Sequence, residues 1–203
     1  MLFPILKGNR TKLRLSFNSP AILAFTAICI AVQLLDMVTG GRSNGILFSV
    51  YRSSLKDPLT YIRCVTHVFG HSGWEHLVNN IMYILILGPM LEEKYGTQNI
   101  IFVMLATALV IGIVNPILFP SVRLLGASGI VFAFIVLSSI TVRENGQIPV
   151  TVILVVLLYL GQQIYEGVSV SDNISQIAHI IGGVVGAILG FAMNSLSLKN
   201  KRN

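Results

Sequence analysis

Charge is what this chain has least of. Only 11% of its 203 residues are Asp, Glu, Lys or Arg, less than half the roughly 25% usual in soluble domains. That shortage, with 54% hydrophobic residues and a mean hydropathy of +0.78, excludes an ordinary soluble fold and points to a polytopic membrane protein. The net charge of +6 does not signal nucleic acid, because the basic residues sit at the ends of apolar runs, as membrane proteins use them. With two cysteines, Cys29 and Cys64, there is no disulfide framework. An H-E-x-x-H sequence is missing as well. His67, His71 and His76 are close in sequence, but Gly70, Ser72 and Gly73 break any helix that would carry them. A zinc site is therefore not expected, nor any other cofactor. His67 and His71 read as hydrogen-bonding ties between a loop and the helix that follows. No inverted repeat is visible, which argues against a small transporter.

What is present is six apolar runs, each a candidate for the roughly 20 residues that cross a bilayer: about Ala21–Val38, Trp74–Leu91, Ile100–Val114 (ended by Asn115-Pro116), Ser128–Val142, Val150–Ile164 and Ile174–Leu196. The first lies too far along, and lacks a small-residue cleavage site, to read as an ordinary signal peptide. With a cytoplasmic N-terminus, Lys7, Arg10, Lys12, Arg14, Lys94, Arg143, Lys199, Lys201 and Arg202 lie inside, against Arg42, Arg52, Lys56, Arg63 and Arg123 outside. Nine against five favours this orientation. The longest connection, Thr39–Gly73, mixes apolar and charged residues and is expected to hold short interfacial helices.

Polar side chains inside spans are costly and rarely idle. Here the second, fourth and sixth spans all run inward, bringing His76, Asn80, Ser128 and His179 to one outer depth. Asn79, about 100° around the helix from Asn80, reads as structural. The fourth span would be only about 22 Å long at 1.5 Å per residue, short of a bilayer core of about 30 Å. A helix starting at Ser128 thus begins below the surface, and the irregular segment before it, Asn115–Ala127, must be buried in protein or line a wet cavity. Gly126, Ala127 and Gly129 keep its surroundings open, and amides at a helix N-terminus suit a developing oxyanion. Gly182, Gly186 and Gly190 follow His179 on one helical face, a surface on which membrane helices pack closely. That face is expected to draw His179 toward the Ser128 hydroxyl, which needs a neighbouring base to become a nucleophile. Taken singly, Ser128 reads as a packing residue and His179 as easily as a structural hydrogen-bonding group.

Three motifs in order tip the balance. Gly126-Ala127-Ser128-Gly129 resembles the G-x-S-G nucleophile motif of rhomboid intramembrane proteases. Ala178-His179 with Gly182 and Gly186 resembles the family's A-H-x-x-G-x-x-x-G. His76 through Asn80 resembles its H-x-x-x-N. Thr66-His67, His71 and the Glu92-Glu93-Lys94-Tyr95-Gly96 run also resemble it, and the likeness covers about Pro20 to Leu196. Two positions depart from the family pattern. Phe132 stands where bacterial relatives often carry Tyr, and Gly41-Arg42 is the nearest counterpart of a Trp-Arg pair.

The resemblance implies an all-α, six-transmembrane-helix bundle with a Ser–His dyad and no acidic third member. No carboxylate lies in the spans near His179; Asp172, about two turns earlier, reads as a loop residue. Ser128 would be nucleophile and His179 general base. His76, Asn80 and the Ser128 backbone amide would stabilise the oxyanion, with Gly126, Gly129, Phe132, Gly182 and Gly186 in support. The expected function is intramembrane serine endopeptidase acting on transmembrane segments of membrane proteins. The alternatives are a catalytically silent relative that binds membrane proteins, or, further off, a small transporter. The expected partners are the bilayer and membrane-protein substrates, with no nucleic acid. The compact form points to a prokaryotic plasma membrane. The chain divides into a cytoplasmic segment at 1–19, a membrane domain at 20–196 and a basic cytoplasmic tail at 197–203.

Overall fold

The computed structural model describes residues 17–141 and 173–200, with positions 150, 153, 154, 157, 158 and 161 between them. Most of the expected fifth span, Val150–Ile164, lies outside the described residues, as do 1–16, Arg143, Asp172 and 201–203. The six described positions between 150 and 161 are helical.

Among the described residues the architecture is all-α: α1 (Pro20–Val38), α2 (Arg42–Ile46), α3 (Pro58–Thr66), α4 (Trp74–Tyr95), α5 (Thr97–Leu118), α6 (Ser128–Thr141) and α7 (Asn173–Asn200). By length and composition α1 and α5 can each cross a membrane, and Ser128–Ile140 and Ile177–Met193 are shorter apolar stretches. Leu34, Leu35, Phe102, Leu109 and Ile113 expose large apolar side chains on α1 and α5, as suits helices that face lipid. The short α6 is the centre of the bundle. Ala127, Ile130, Ala133, Phe134 and Leu137 are fully buried, and the helix packs on α4, α5 and α7. A helix apolar on every side is stable only when surrounded in this way.

Helix ends follow local chemistry. Proline opens α1, whose next amides have no acceptor within the helix. The buried Glu92 carboxylate supplies one from the far end of α4, accepting from Ala21 N and Ile22 N at 3.1 Å each and from Thr97 Oγ1 at 2.7 Å. Asp36 does the same for α2, accepting from Ser43 Oγ and Asn44 N at 2.9 Å. Asp57 caps α3 through Leu59 N at 3.0 Å. The long connection thus carries two short helices, as its mixed composition implies.

Some boundaries differ from the sequence reading. α4 runs past Leu91 to Tyr95, where Gly96 turns the chain at φ +83°. α5 runs through Asn115-Pro116 to Leu118. Pro116 removes the N–H that would bond the Gly112 carbonyl, and Cys64 Sγ of α3 lies 3.5 Å from that carbonyl, with the Thr60 carbonyl nearer to the same thiol at 3.3 Å. α3 approaches so closely here that a Cβ on Gly112 would strike the Cys64 carbonyl. The irregular segment is therefore 119–127. α7 continues to Asn200, so the first residues of the expected tail are helical.

Candidate active site

The segment entering α6 is fastened from several sides. Val50 and Leu124 exchange backbone hydrogen bonds of 2.8 and 2.9 Å. The Tyr51 ring lies between two guanidinium groups, Arg63 at 4.8 Å and Arg123 at 4.7 Å. Asn115 Nδ2 donates to the Val122 carbonyl at 3.4 Å. Gly126 N donates to the His67 carbonyl at 3.0 Å, while His67 Nε2–H donates to the Ala108 carbonyl of α5 at 3.1 Å. Such anchoring keeps irregular backbone in one conformation within the bundle.

Gly126 has φ +128°, a region that disfavours any residue with a Cβ. Space demands glycine too. A Cβ there would lie 2.8 Å from both Cε1 and Nε2 of His76, and 3.8 Å from Asn80 Nδ2. His76 and Asn80, one turn apart on α4, thus face the turn immediately ahead of Ser128. Asn80 is 6% exposed, and among the described residues its Nδ2 has no hydrogen-bond partner. Ser128 is half-buried at the N-terminus of α6, where the Ala127 carbonyl accepts from Ile130 N and Val131 N. The first amides of the helix are left without intrahelical acceptors.

α7 meets α6 along its glycines. A Cβ on Gly182 would strike the Gly129 carbonyl, and one on Gly186 the Ala133 carbonyl. A Cβ on Gly190 would lie 3.0 Å from Leu137 Cδ1. The contacts advance four residues at a time on both helices, as aligned helical ridges do. His179, one turn before Gly182, is half-buried and stacks on Phe132 of α6, with ring centroids 4.3 Å apart and planes at 42°. The Ala178 carbonyl lies 3.6 Å from where a Gly129 Cβ would be. Ser128 and His179 are thus each sequence neighbours of the residues at the upper α6–α7 contact.

His71 and His67 are not free bases. Burial pushes both imidazoles down to about 4, for His71 with a further contribution from nearby His76. His71 Nδ1–H donates to the Phe69 carbonyl at 3.2 Å, its own carbonyl accepts from Asn44 Nδ2 at 2.8 Å, and its ring meets that of His76 edge-on at 5.1 Å. Both histidines were expected to tie the loop to the start of α4. His71 abuts that start through His76, whereas His67 ties to α5 and to the Gly126 turn.

Ser72, Gly73, Trp74, Glu75, His76 and Asn79 line an open, polar cavity of about 450 Å³. It gives water a way to His76, and it includes Asn79, assigned only a structural role from the sequence. Ser72 was also missed. Ser72-Gly73-Trp74-Glu75 has the form of a capping box, yet Gly73 is the N-cap residue and has no side-chain cap. The Ser72 hydroxyl instead meets His76 Nδ1 at 3.1 Å. A serine four residues before a histidine at a helix start was the available signal.

A family model for the rhomboid domain matches residues 58–195, a span that takes in His76, Asn80, Ser128 and His179. The chain is 27% identical over 177 residues to rhomboid protease GlpG of Yersinia pseudotuberculosis (strain IP32953), covering 85% of this chain and 62% of the relative. Figures for the protein of the same name in Yersinia pestis are the same. Rhomboid-related protein 2 of Mus musculus is 29% identical over 161 residues, covering 70% of this chain and 53% of that protein. The chain thus spans less than two thirds of the length of these relatives.

Proposed function

The chain belongs to the rhomboid family, and on that premise we propose that it is an intramembrane serine endopeptidase, with Ser128 as nucleophile and His179 as general base. The observation that carries this reading is the Gly126 turn. It sets His76 and Asn80 against the approach to Ser128 at the N-terminus of a buried helix. A hydroxyl, a helix N-terminus and two side-chain donors collected there suit an acyl-transfer site.

In the proposed reaction a substrate transmembrane segment unwinds locally beside α6. His179 takes the proton from Ser128 Oγ as the oxygen attacks the scissile carbonyl. The carbonyl electrons move onto its oxygen, which is held by the Ser128 amide, Nε2–H of His76 and Nδ2–H of Asn80. Collapse of this intermediate expels the amine, which takes the proton from His179. A water then adds to the acyl-enzyme, with His179 again as base, and releases the acid. The Phe132 ring, 4.3 Å from the imidazole between centroids, limits the rotation of His179. The remaining parts of the reading are six spans with both termini cytoplasmic, a prokaryotic plasma membrane and membrane-protein substrates.

The test is cleavage of a panel of transmembrane peptides by wild type and Ser128→Ala, with mass spectrometry of the products, alongside labelling by a fluorophosphonate. Wild type is expected to cut and to be labelled at Ser128. Cleavage by Ser128→Ala at the wild-type rate overturns Ser128 as the nucleophile, and a wild type that neither cuts nor labels overturns the proposal in favour of a silent binding protein.

A further inference from the structure

His76 has two ring nitrogens, and the structure uses them differently. Nδ1 faces Ser72, whose backbone N–H lies 3.4 Å away with the geometry of a hydrogen bond and whose hydroxyl lies 3.1 Å away. A backbone N–H can only donate, so Nδ1 must be the bare, accepting nitrogen. In a neutral imidazole the proton then resides on Nε2. Nε2 lies on the ring edge that faces the Gly126 turn, where it and Cε1 are each 2.8 Å from where a Cβ on that glycine would lie. The other tautomer would set Nδ1–H against the Ser72 N–H and turn a lone pair toward the turn.

We propose that Ser72 is a positioning residue that locks His76 in its Nε2–H tautomer, so that a donor and not a lone pair meets the oxyanion formed at Ser128. This rests on the assignment of Ser128 and His76 given above. It adds a requirement that the assignment does not contain, because a histidine in the right place with the wrong tautomer would repel the developing charge. The backbone N–H, at 3.4 Å, only biases the direction, and the closer hydroxyl, at 3.1 Å, completes the lock and holds the ring plane, so that removing it frees the tautomers to mix. Ser72 is exposed, so its side chain can be changed with little disturbance of the bundle.

The experiment pairs kinetics with ¹⁵N spectroscopy of His76 in detergent-solubilised protein labelled at histidine. In wild type the His76 Nδ1 resonance is expected in the unprotonated range and Nε2 in the protonated range. Ser72→Ala is expected to shift the two toward each other, as the tautomers mix, and to lower kcat about tenfold with KM unchanged. Ser72→Thr, which keeps the hydroxyl, is expected to restore both. A protonated Nδ1 in wild type overturns the inference, as does a Ser72→Ala enzyme with wild-type kcat. End-point fluorophosphonate labelling of Ser128 reports separately on the nucleophile. Normal labelling with either overturning result sinks the Ser72 role alone, whereas absent labelling in wild type sinks the assignment beneath it.

Discussion

Gly182 of α7 rests on the backbone carbonyl of Gly129 in α6, with no room for a methyl group between them. Both contacting groups are backbone, so no side-chain rotation can relieve an added atom. Gly182→Ala is therefore expected to push the helices apart, at a cost of about 1–3 kcal/mol, and to move His179 relative to Ser128. Displacement of that order at a reacting pair commonly costs about 100-fold in rate. Gly190→Ala, eight residues along, meets only the flexible Leu137 Cδ1 and Ile140 side chains. It is expected to leave activity within a few-fold of wild type. Peptide-cleavage rates and thermal unfolding of the two variants in one detergent make the comparison. Equal loss in both would refute the register.

Glu92 holds the start of α1 to the end of α4 through two backbone amides and a hydroxyl. Charge-assisted bonds of this kind contribute about 1.5–3 kcal/mol each, and the carboxylate also favours the positive end of the α1 dipole. Glu92→Gln keeps the shape but turns an NH₂ toward one of these donors. A loss of about 2 kcal/mol or more in unfolding free energy is expected, with α1 loosening first. Limited proteolysis at the α1 start, compared with wild type, reads this directly.

His67 and His71 make stability depend on pH. Burial holds both near a pKa of about 4, against 6.5 when unfolded. Above pH 6.5 both states are neutral there, and nothing is gained or lost. Between 6.5 and 4 the unfolded chain binds protons that the folded chain refuses, so stability falls as pH falls, by at most about 3 kcal/mol per histidine. Below 4 the loss is complete. In His67→Gln/His71→Asn the amide nitrogens take over the bonds to Ala108 and Phe69 without titrating. Its unfolding midpoint should vary much less between pH 7 and pH 4.5 than that of wild type. An unchanged pH slope would assign the effect to other groups.

The features readable from sequence were those with a short-range signature. The glycine face of α7 followed from a period of four, and its contact with α6 at Gly129 and Ala133 agrees. The shortness of α6 followed from Ser128 and the length of its apolar run. What escaped were long-range pairings between ordinary residues. Glu92 read only as the acidic end of a helix, though it caps another helix 71 residues away in sequence. Asn115-Pro116 read as a helix end, yet α5 continues to Leu118 with α3 packed against Gly112, a contact between residues 48 apart in sequence. The Tyr51 clamp between Arg63 and Arg123 joins residues from three separate stretches, and nothing local announces it.

Asn80 separates a packing role from a chemical one most sharply. Its amide nitrogen is buried, faces the Gly126 turn and has no hydrogen-bond partner among the described residues. A buried donor left unpaired in this way is costly unless its partner arrives with the substrate. An oxyanion is such a partner, and it exists only in the intermediate and the transition states leading to it. Asn80→Ala should therefore lower kcat by about 100- to 1000-fold with KM little changed, since ground-state binding does not use the donor. Asn80→Asp has nearly the same volume but only acceptors, and it adds negative charge beside the developing one. It should be slower than the alanine variant if the donor is what counts. Were Asn80 simply filling space, the order would reverse, with the isosteric Asp retaining more activity than Ala. Steady-state cleavage of one transmembrane peptide by the three proteins decides between the two orders.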